Sequence, residues 1–435
     1  MGLSYAASGL SLLLSAAAQL ITFAVLARTL GTSQFAVYIT ISAFTNIGTQ
    51  ICGIGSQESL VRRVARELSF YPTMFGHTML LTVGTGIALI LIGIGAVPLL
   101  LALPSEQMPT LTSIVFLLIT NILLVKIIGV ATAAYVAHSN FKVANGMEIG
   151  FALMRMLTTL LGCLVFGVKT VDQWAIWMFG SHTLLTLAYL YMMWRIGRPA
   201  WRIVREEIPI GALFSTQFIF RALRQNTDLV VLSMIASPEI VGSYGVARRI
   251  LDSSYMSIEA LNRLIYPGSA RILVHGFHVA YPRLVKVLMA AVGIAVAVSL
   301  TVFVLSPLMP ILFGHQYISM VGFTRAICFV IVPAAVSGVI LEVFGAAGKQ
   351  GVRAMVFNSA NLVSAGLVAV ITLNFGVFGA FGSYYAVEIV TAVIAWYVLS
   401  RYVMADRLRF EGAAPGESRS ARPGHRLGKE LPQHA

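Results

Sequence analysis

Stretches of twenty or more predominantly apolar residues recur from one end of the chain to the other, and no other feature confines its fold so tightly. At 1.5 Å per residue, about 20 helical residues cross a hydrocarbon core ~30 Å thick. Spans are predicted over 4–27, 34–57, 73–101, 110–137, 148–168 and 172–194, then over 210–236, 239–266, 284–313, 320–345, 352–373 and 376–400. The fold class expected is therefore an all-α integral membrane protein with about twelve transmembrane helices. The loops are short, about fifteen residues at most, which leaves no room for a soluble catalytic domain. Composition agrees: 58% of residues are hydrophobic and 11% charged, where a soluble domain carries about 25% charged residues.

Pro98, Pro307, Pro310 and Pro333 fall inside spans, where neighbouring helices or water can satisfy the freed backbone groups. The first span reads as a retained helix rather than a cleaved signal. No Lys or Arg precedes it, and its apolar stretch exceeds the usual 7–15 residues, although Ala16-Ala17-Ala18 imitates a cleavage site.

Alternate loops differ in charge. Arg62, Arg63, Arg66, Lys142, Arg195, Arg198, Arg202, Arg205, Arg271, Arg283, Lys286, Lys349 and Arg353 share one side with the basic tail, while the other side offers little beyond Arg28 and Lys169. By the positive-inside rule both termini are expected in the cytoplasm, in a multi-pass protein of the bacterial inner membrane. The net charge of +13 resides mostly in these loops and the tail; anionic lipids are its expected neighbours, and no nucleic acid is required. Cys52, Cys163 and Cys328 lie within spans without ligand spacing, so neither a metal nor a cofactor is expected.

The chain also repeats itself. Val25 to Tyr38 parallels Val231 to Tyr244 at an offset of 206, and Tyr71-Pro72, Val83-Gly84, Pro98 and Phe166-Gly167-Val168 reappear as Tyr281-Pro282, Val292-Gly293, Pro307 and Phe375-Gly376-Val377 at 209 or 210. The expected organisation is a six-helix bundle over 1–202, a second over 203–402, and a disordered basic cytoplasmic tail over 403–435. Six spans per half is an even number, so both halves enter the membrane in the same sense. They should then be related by a pseudo-two-fold axis along the membrane normal, around a central cavity that rocking exposes to each side in turn.

Two polar stripes point toward that cavity. The seventh span carries Gln217, Arg221, Arg224, Gln225 and Asp228, and the eighth carries Tyr244, Arg248, Asp252, Tyr255, Glu259 and Asn262, with Arg249 about 100° away. A charge at mid-bilayer costs about 2.5–3.5 kcal/mol by insertion scales, so these residues should face water or partners rather than lipid. The first half repeats the geometry without the charge, through Ser11, Ser15, Gln19 and Thr22, then Tyr38, Ser42 and Asn46. Arg221, Arg224, Arg248 and Arg249, with Gln19, Gln225, Ser42 and Asn46, are the candidate substrate contacts. Arginine forks suit phosphate. Lys126 and Arg155 are weaker candidates. Asp228, Asp252, Glu259, Glu342 and Glu388 are candidates for ion coupling or gating, the last two read as lone carboxylates in apolar helices. The competing reading is that Arg248–Asp252 and Arg224–Asp228, each at i,i+4, simply pair. Gly84-x-Gly86 and Gly93-x-Gly95 have no preceding strand and read as helix packing.

Leu26-Ala27-Arg28-Thr29-Leu30-Gly31 with Tyr38, then Gly53 and Gly55 before a basic loop, resembles the start of bacterial polysaccharide-export flippases. Asn226-Thr227-Asp228 and Val241-Gly242-Ser243-Tyr244 are similar to their seventh and eighth helices. These proteins belong to the multidrug/oligosaccharidyl-lipid/polysaccharide exporter superfamily. The resemblance implies flipping of an undecaprenyl-diphosphate-linked oligosaccharide to the outer leaflet, coupling to H⁺ or Na⁺, and association with polysaccharide polymerase machinery. It implies no enzymatic activity. Twelve spans rather than fourteen count against the related lipid II flippases. Two alternatives remain. A multidrug/cation antiporter shares the fold, though surplus cavity arginine would repel cationic drugs. A polysaccharide polymerase or glycosyltransferase would call for a larger extramembrane loop or an acidic motif beyond isolated Glu106 and Glu239.

Overall fold

The computed structural model describes the backbone of residues 2–101, 108–273 and 276–412, and the side chains of these except at 2–16, 257, 259–271 and 409–412. The chain is almost entirely helical. Helix α1 (Gly2–Ile51) is followed by a short α2 (Ser56–Arg66), then α3 (Tyr71–Leu101). α4 (Leu111–Leu118) runs through a π turn at Ile119–Leu124 into α5 (Val125–Ala137); α6 (Phe141–Leu160) and α7 (Val171–Ile196) complete the first half. The second half comprises α8 (Glu207–Ile235), α9 (Pro238–Leu273), α10 (Phe277–Leu305), α11 (Met309–Phe313), α12 (Ser319–Ile327), α13 (Ile331–Ala346) and α14 (Gln350–Gly412). At about 1.5 Å per residue, α1 and α14 are too long to cross a bilayer as straight rods. Each is broken by a glycine in a non-helical conformation, Gly31 (φ 72°) in α1 and Gly376 (φ 59°) in α14. Divided there, with α4–α5, α10–α11 and α12–α13 taken as single rods, the described chain runs through twelve long helical segments, consistent with the expected number. Seven described stretches are long and apolar enough to cross a membrane; α7, α8 and α9 have the length but are more polar.

Several boundaries differ from the sequence reading. The second span was expected to reach 57, yet α1 ends at Ile51 and Gly53, Ile54 and Gly55 follow with φ of 81°, 48° and 69°. A β-branched residue in this region is strained. α9 continues to Leu273, beyond the expected 266. α14 continues to Gly412, ten residues past the expected start of the tail at 403, because Phe277 and Phe344 pack on Tyr402. Residues 413–435 of the expected tail, and Glu106, lie outside the described residues.

The internal repeat has structural counterparts. The turn after α5 has backbone N–H groups of His138, Ser139 and Asn140 donating to carbonyls of Ala134, Val136 and Tyr135. The turn after α13 has Ala347, Gly348 and Lys349 donating to Val343, Gly345 and Phe344, each position 209 residues later. Ser139 (φ 57°) and Gly348 (φ 72°) occupy the same left-handed position, as do Gly167 (φ 68°) and Gly376. Two smaller apolar clusters correspond as well. Val64, Tyr71, Phe75, Ala131 and Ala134 of one match Leu273, Ala280, Leu284, Ile340 and Val343 of the other at the same 209 offset. The principal core crosses between the halves, joining Leu26, Tyr38 and Ile41 to Tyr244, Leu251, Tyr317 and Phe381.

The halves meet at two levels. On the side assigned outward by the charge pattern, the Tyr317 hydroxyl and Gln316 amide donate to the Ala27 carbonyl at 3.0 and 3.2 Å, and a Cβ on Gly245 would overlap Ile39. On the basic side, a Cβ on Gly55 would overlap the Gly211 carbonyl, and Arg62 pairs with Glu207 at 2.7 Å. The segment 197–206 that joins the halves is strapped to α3: Ala200 N–H donates to the Pro72 carbonyl at 2.8 Å and Val204 N–H to His77 Nδ1 at 3.1 Å.

Candidate functional site

The polar stripe of α8 and that of α9 converge, but the third wall of the site comes from α14. Spacings of four along each helix stack Arg224 over Asp228, Tyr244 over Arg248 and Asp252, and Tyr384 over Glu388 on single faces. Asp228 is fully buried and accepts a hydrogen bond from the Tyr244 hydroxyl at 2.5 Å. Arg248 Nε lies 3.3 Å from the same carboxylate, Nη1 donates to Asp252 Oδ1 at 3.3 Å, and Nη2 donates to the Gln225 carbonyl at 3.2 Å. Its guanidinium lies 4.3 Å from the centre of the Tyr384 ring, a cation–π contact strengthened by the lack of water. Arg224 forms an ion pair with Glu388, which is itself buried.

This arrangement corrects three expectations. Arg224 and Asp228 do not pair with each other, because Glu388 takes the arginine and Arg248 takes the aspartate. Glu388 and Glu342 are not lone carboxylates, since Glu342 pairs with Arg353 at 2.7 Å across the turn that follows α13. And the surplus of cations expected around the stripes becomes, inside this cluster, three carboxylates (Asp228, Asp252, Glu388) against two arginines (Arg224, Arg248). One Asp228 oxygen, Oδ1, and the Tyr384 hydroxyl are buried without hydrogen-bond partners.

The first-half residues meet the second half directly rather than across open space. Arg249 Nη2 donates to Gln19 Oε1 and lies 5.8 Å from the Phe23 ring centre. Asn46 Nδ2 donates to Asn226 Oδ1 at 3.3 Å. Ser42 and Gln225 are half-buried, Arg221 is exposed, and Asp252 keeps 44% of its side chain exposed. The side chain of Glu259 lies outside the described residues. A cavity of about 250 Å³ opens nearer the outward ends of these helices, lined by Ser33, Val37, Thr40, Leu101, Met234 and Pro238 among others. It is smaller than the roughly 300–1,000 Å³ of a usual small-molecule site, so the halves are closed around the polar cluster in this conformation. Tyr384 was missed by sequence reasoning. The signal available was its i,i+4 spacing to Glu388 within an otherwise apolar span. Among the described residues no group of three His, Cys, Asp or Glu side chains could hold a metal ion.

Comparison with known proteins places this geometry. A family model described as "Polysaccharide biosynthesis protein" matches residues 25–322. No curated protein matches the sequence. Among solved structures, an inward-facing multidrug resistance MATE family transporter of the MOP superfamily superposes with a TM-score of 0.72 at 13% identity, covering 89% of this chain and 94% of that one. The lipid II flippase MurJ in an inward closed conformation gives 0.70 at 12% identity, covering 92% and 89%. A MOP superfamily transporter from Pyrococcus furiosus, whose binding pocket is described as having reverse polarity, gives 0.57 at 13% identity, covering 93% and 96%. At these identities the likeness shows the fold.

Proposed function

The chain belongs to the polysaccharide biosynthesis protein family, and from that premise we propose that it flips an undecaprenyl-diphosphate-linked oligosaccharide from the inner to the outer leaflet of the bacterial cytoplasmic membrane. The observation that carries this reading is the set of membrane-embedded arginines held on carboxylates rather than on lipid. A diphosphate that leaves water must exchange its hydration for fixed donors, and Arg221, Arg224, Arg248 and Arg249 supply them along one path. Their guanidinium forks match phosphate oxygens. Gln19, Ser42, Asn46 and Gln225 are suited to the glycan, and the prenyl chain stays in lipid. Two six-helix units, 1–202 and 203–402, rock about the contacts between them, with both termini cytoplasmic.

The same geometry gives a physical reason for ion coupling. When Arg248 turns to a phosphate, Asp228 is left as a buried charge without its partner, which costs several kcal/mol. Taking up a proton or a Na⁺ at Asp228, Glu388 or Asp252 removes that cost. Substrate loading and cation uptake are then linked, and neither proceeds cheaply alone. The excess of carboxylates in the cluster also favours a second reading, export of an organic cation, which the placement of four arginines on or beside the path opposes.

The test is leaflet-resolved labelling of lipid-linked glycan in cells carrying Arg248→Ala or Arg221→Ala. These variants should insert normally and trap glycan on the cytoplasmic leaflet, with partial rescue by Lys, which keeps the charge but loses the fork. Normal export by single and double Ala variants would overturn the reading. Glycan export that is normal while an organic cation is no longer expelled would favour the second one.

A further inference from the structure

The break between α1 and α2 encloses a second polar centre, separate from the arginine cluster and inside the first half. Lys126 of α5 is 7% exposed, and among the described residues no carboxylate pairs with it. Its Cε would lie 3.5 Å from a Cβ placed on Gly53. The same point lies 3.0 Å from Thr82 Oγ1 of α3 and 3.1 Å from Ser56 Oγ at the start of α2. Both hydroxyls are fully buried and neither has a hydrogen-bond partner. Their neighbours are otherwise satisfied: Gly53 N–H donates to Thr85 Oγ1 at 2.7 Å, and the Cys52 thiol donates to the Thr82 carbonyl at 3.4 Å.

Three donors thus converge on the space beside Gly53, and a fourth contribution comes from α2. That helix has eleven residues, starts at Ser56, and has no side-chain cap, so its first N–H groups carry a partial positive charge. Glu58, in the same first turn, lies two residues beyond Ser56 and is rotated about 200° from it around the helix. A buried ammonium and two buried hydroxyls without partners cost several kcal/mol together, yet nothing on this side of the break balances them. An acceptor that is small, monovalent and negative would satisfy all of these groups at once. The position faces the interior of the first half, between α3 and α5, whereas Gly55 two residues on faces Gly211 of the second half. A glycolipid headgroup has no route there.

We propose that Lys126, Ser56 and Thr82 with the α2 N-terminus form a site for a halide-class inorganic anion, chloride under ordinary conditions. The bound anion neutralises Lys126 and pins the left-handed turn 53–55. It thereby holds α2 in register with Gly211 and Glu207 at the contact between the halves. This site does not depend on what the protein carries.

The experiment measures the thermal midpoint of the purified, detergent-solubilised full chain in sodium gluconate titrated with sodium chloride or bromide at constant ionic strength. Wild type should show a saturable rise of at least ~2 °C, as expected for a ligand that binds only the folded state. Sulfate should fail to produce it. Thr82→Val and Ser56→Ala should each raise the half-effect concentration about ten-fold or more, the effect of losing one hydrogen bond to a charged group. Lys126→Met should abolish the shift while remaining folded in gluconate. Should that variant not fold, the two hydroxyl variants decide the matter. Bromide in crystals should give an anomalous peak beside Gly53. A wild-type midpoint indifferent to halide, a wild-type half-effect concentration in Thr82→Val, or bromide located elsewhere would overturn the proposal.

Discussion

Arg248 is the side chain on which the polar cluster most depends, and its removal has a size that can be worked from the contacts. It touches Asp228 at 3.3 Å, Asp252 at 3.3 Å, the Gln225 carbonyl at 3.2 Å and the Tyr384 ring at 4.3 Å. Asp252 is partly exposed and can turn to water, so its loss counts for little. Asp228 is fully buried and cannot. Arg248→Met therefore leaves one uncompensated carboxylate in a medium that solvates it poorly, a cost of about 3–5 kcal/mol. The Tyr244 hydroxyl, still donating to Asp228, keeps the effect from being larger. Asp228→Asn alone should cost less, because Arg248 retains Asp252 and the Gln225 carbonyl. The double variant Arg248→Met/Asp228→Asn removes both members, and its stability should lie at least ~2 kcal/mol above the sum of the single effects. The assay is a double-mutant cycle on reversible unfolding in mixed micelles. If the four stabilities add within ~0.5 kcal/mol, Arg248 and Asp228 do not depend on each other and the restraint assigned to the carboxylate is wrong.

Gly55→Val places a side chain on the Gly211 carbonyl and asks a β-branched residue to adopt φ 69°. It should part the halves on the basic side, seen as faster reaction of a cysteine at Glu207 with a water-soluble thiol reagent; an unchanged rate would mean that this contact seals nothing. At the cytoplasmic end of α14, the His278 ring, 2.7 Å away, and its backbone N–H at 3.2 Å hold the Asp406 carboxyl below its ordinary value of 3.8. A depressed folded value means stability that is complete above about pH 4 and declines as pH falls through the folded pKa. Asp406→Asn should remove that acid-side decline, and an identical pH profile in the variant would count against the clasp. Reporter fusions after Arg66, Arg205 and Arg353 should read cytoplasmic, and fusions near Glu106 and Glu239 external; two sites on the wrong side would sink the topology.

Much of the architecture was readable because hydrophobic length and charge placement act locally. The apolar runs located the rods, and Gly31 appeared in the sequence at the point where α1 breaks. Pairing was not readable, since it depends on how helices cross. Spacing of four offers Arg224–Asp228 and Arg248–Asp252 as partners, and only the second forms. Glu388 reaches Arg224 from 164 positions away, and nothing in an apolar span announces which neighbour it will face. The left-handed turn 53–55 was likewise hidden, because Ile54 reads as an ordinary apolar residue within a span. Its strain is accepted because Gly211 packs there.

The two copies of the repeat have kept their turns and diverged at their second helix. In the first half that helix stops at Ile51 and restarts at Ser56; in the second, α9 runs unbroken from Pro238 to Leu273. An unbroken helix can hold Tyr244, Arg248 and Asp252 in fixed register against α8 and α14, which a cluster of buried charges requires, since a misplacement leaves a charge unpaired. A broken helix can change the angle of its two parts at little cost in hydrogen bonds, because its ends are already free. The half with the break carries few charges at mid-depth and bears the Gly55 contact at the basic end. The half without it carries the acids and arginines. Rigidity is placed where charges must be matched, and the hinge where the halves must part. A duplicated chain gains this division only by letting its copies differ.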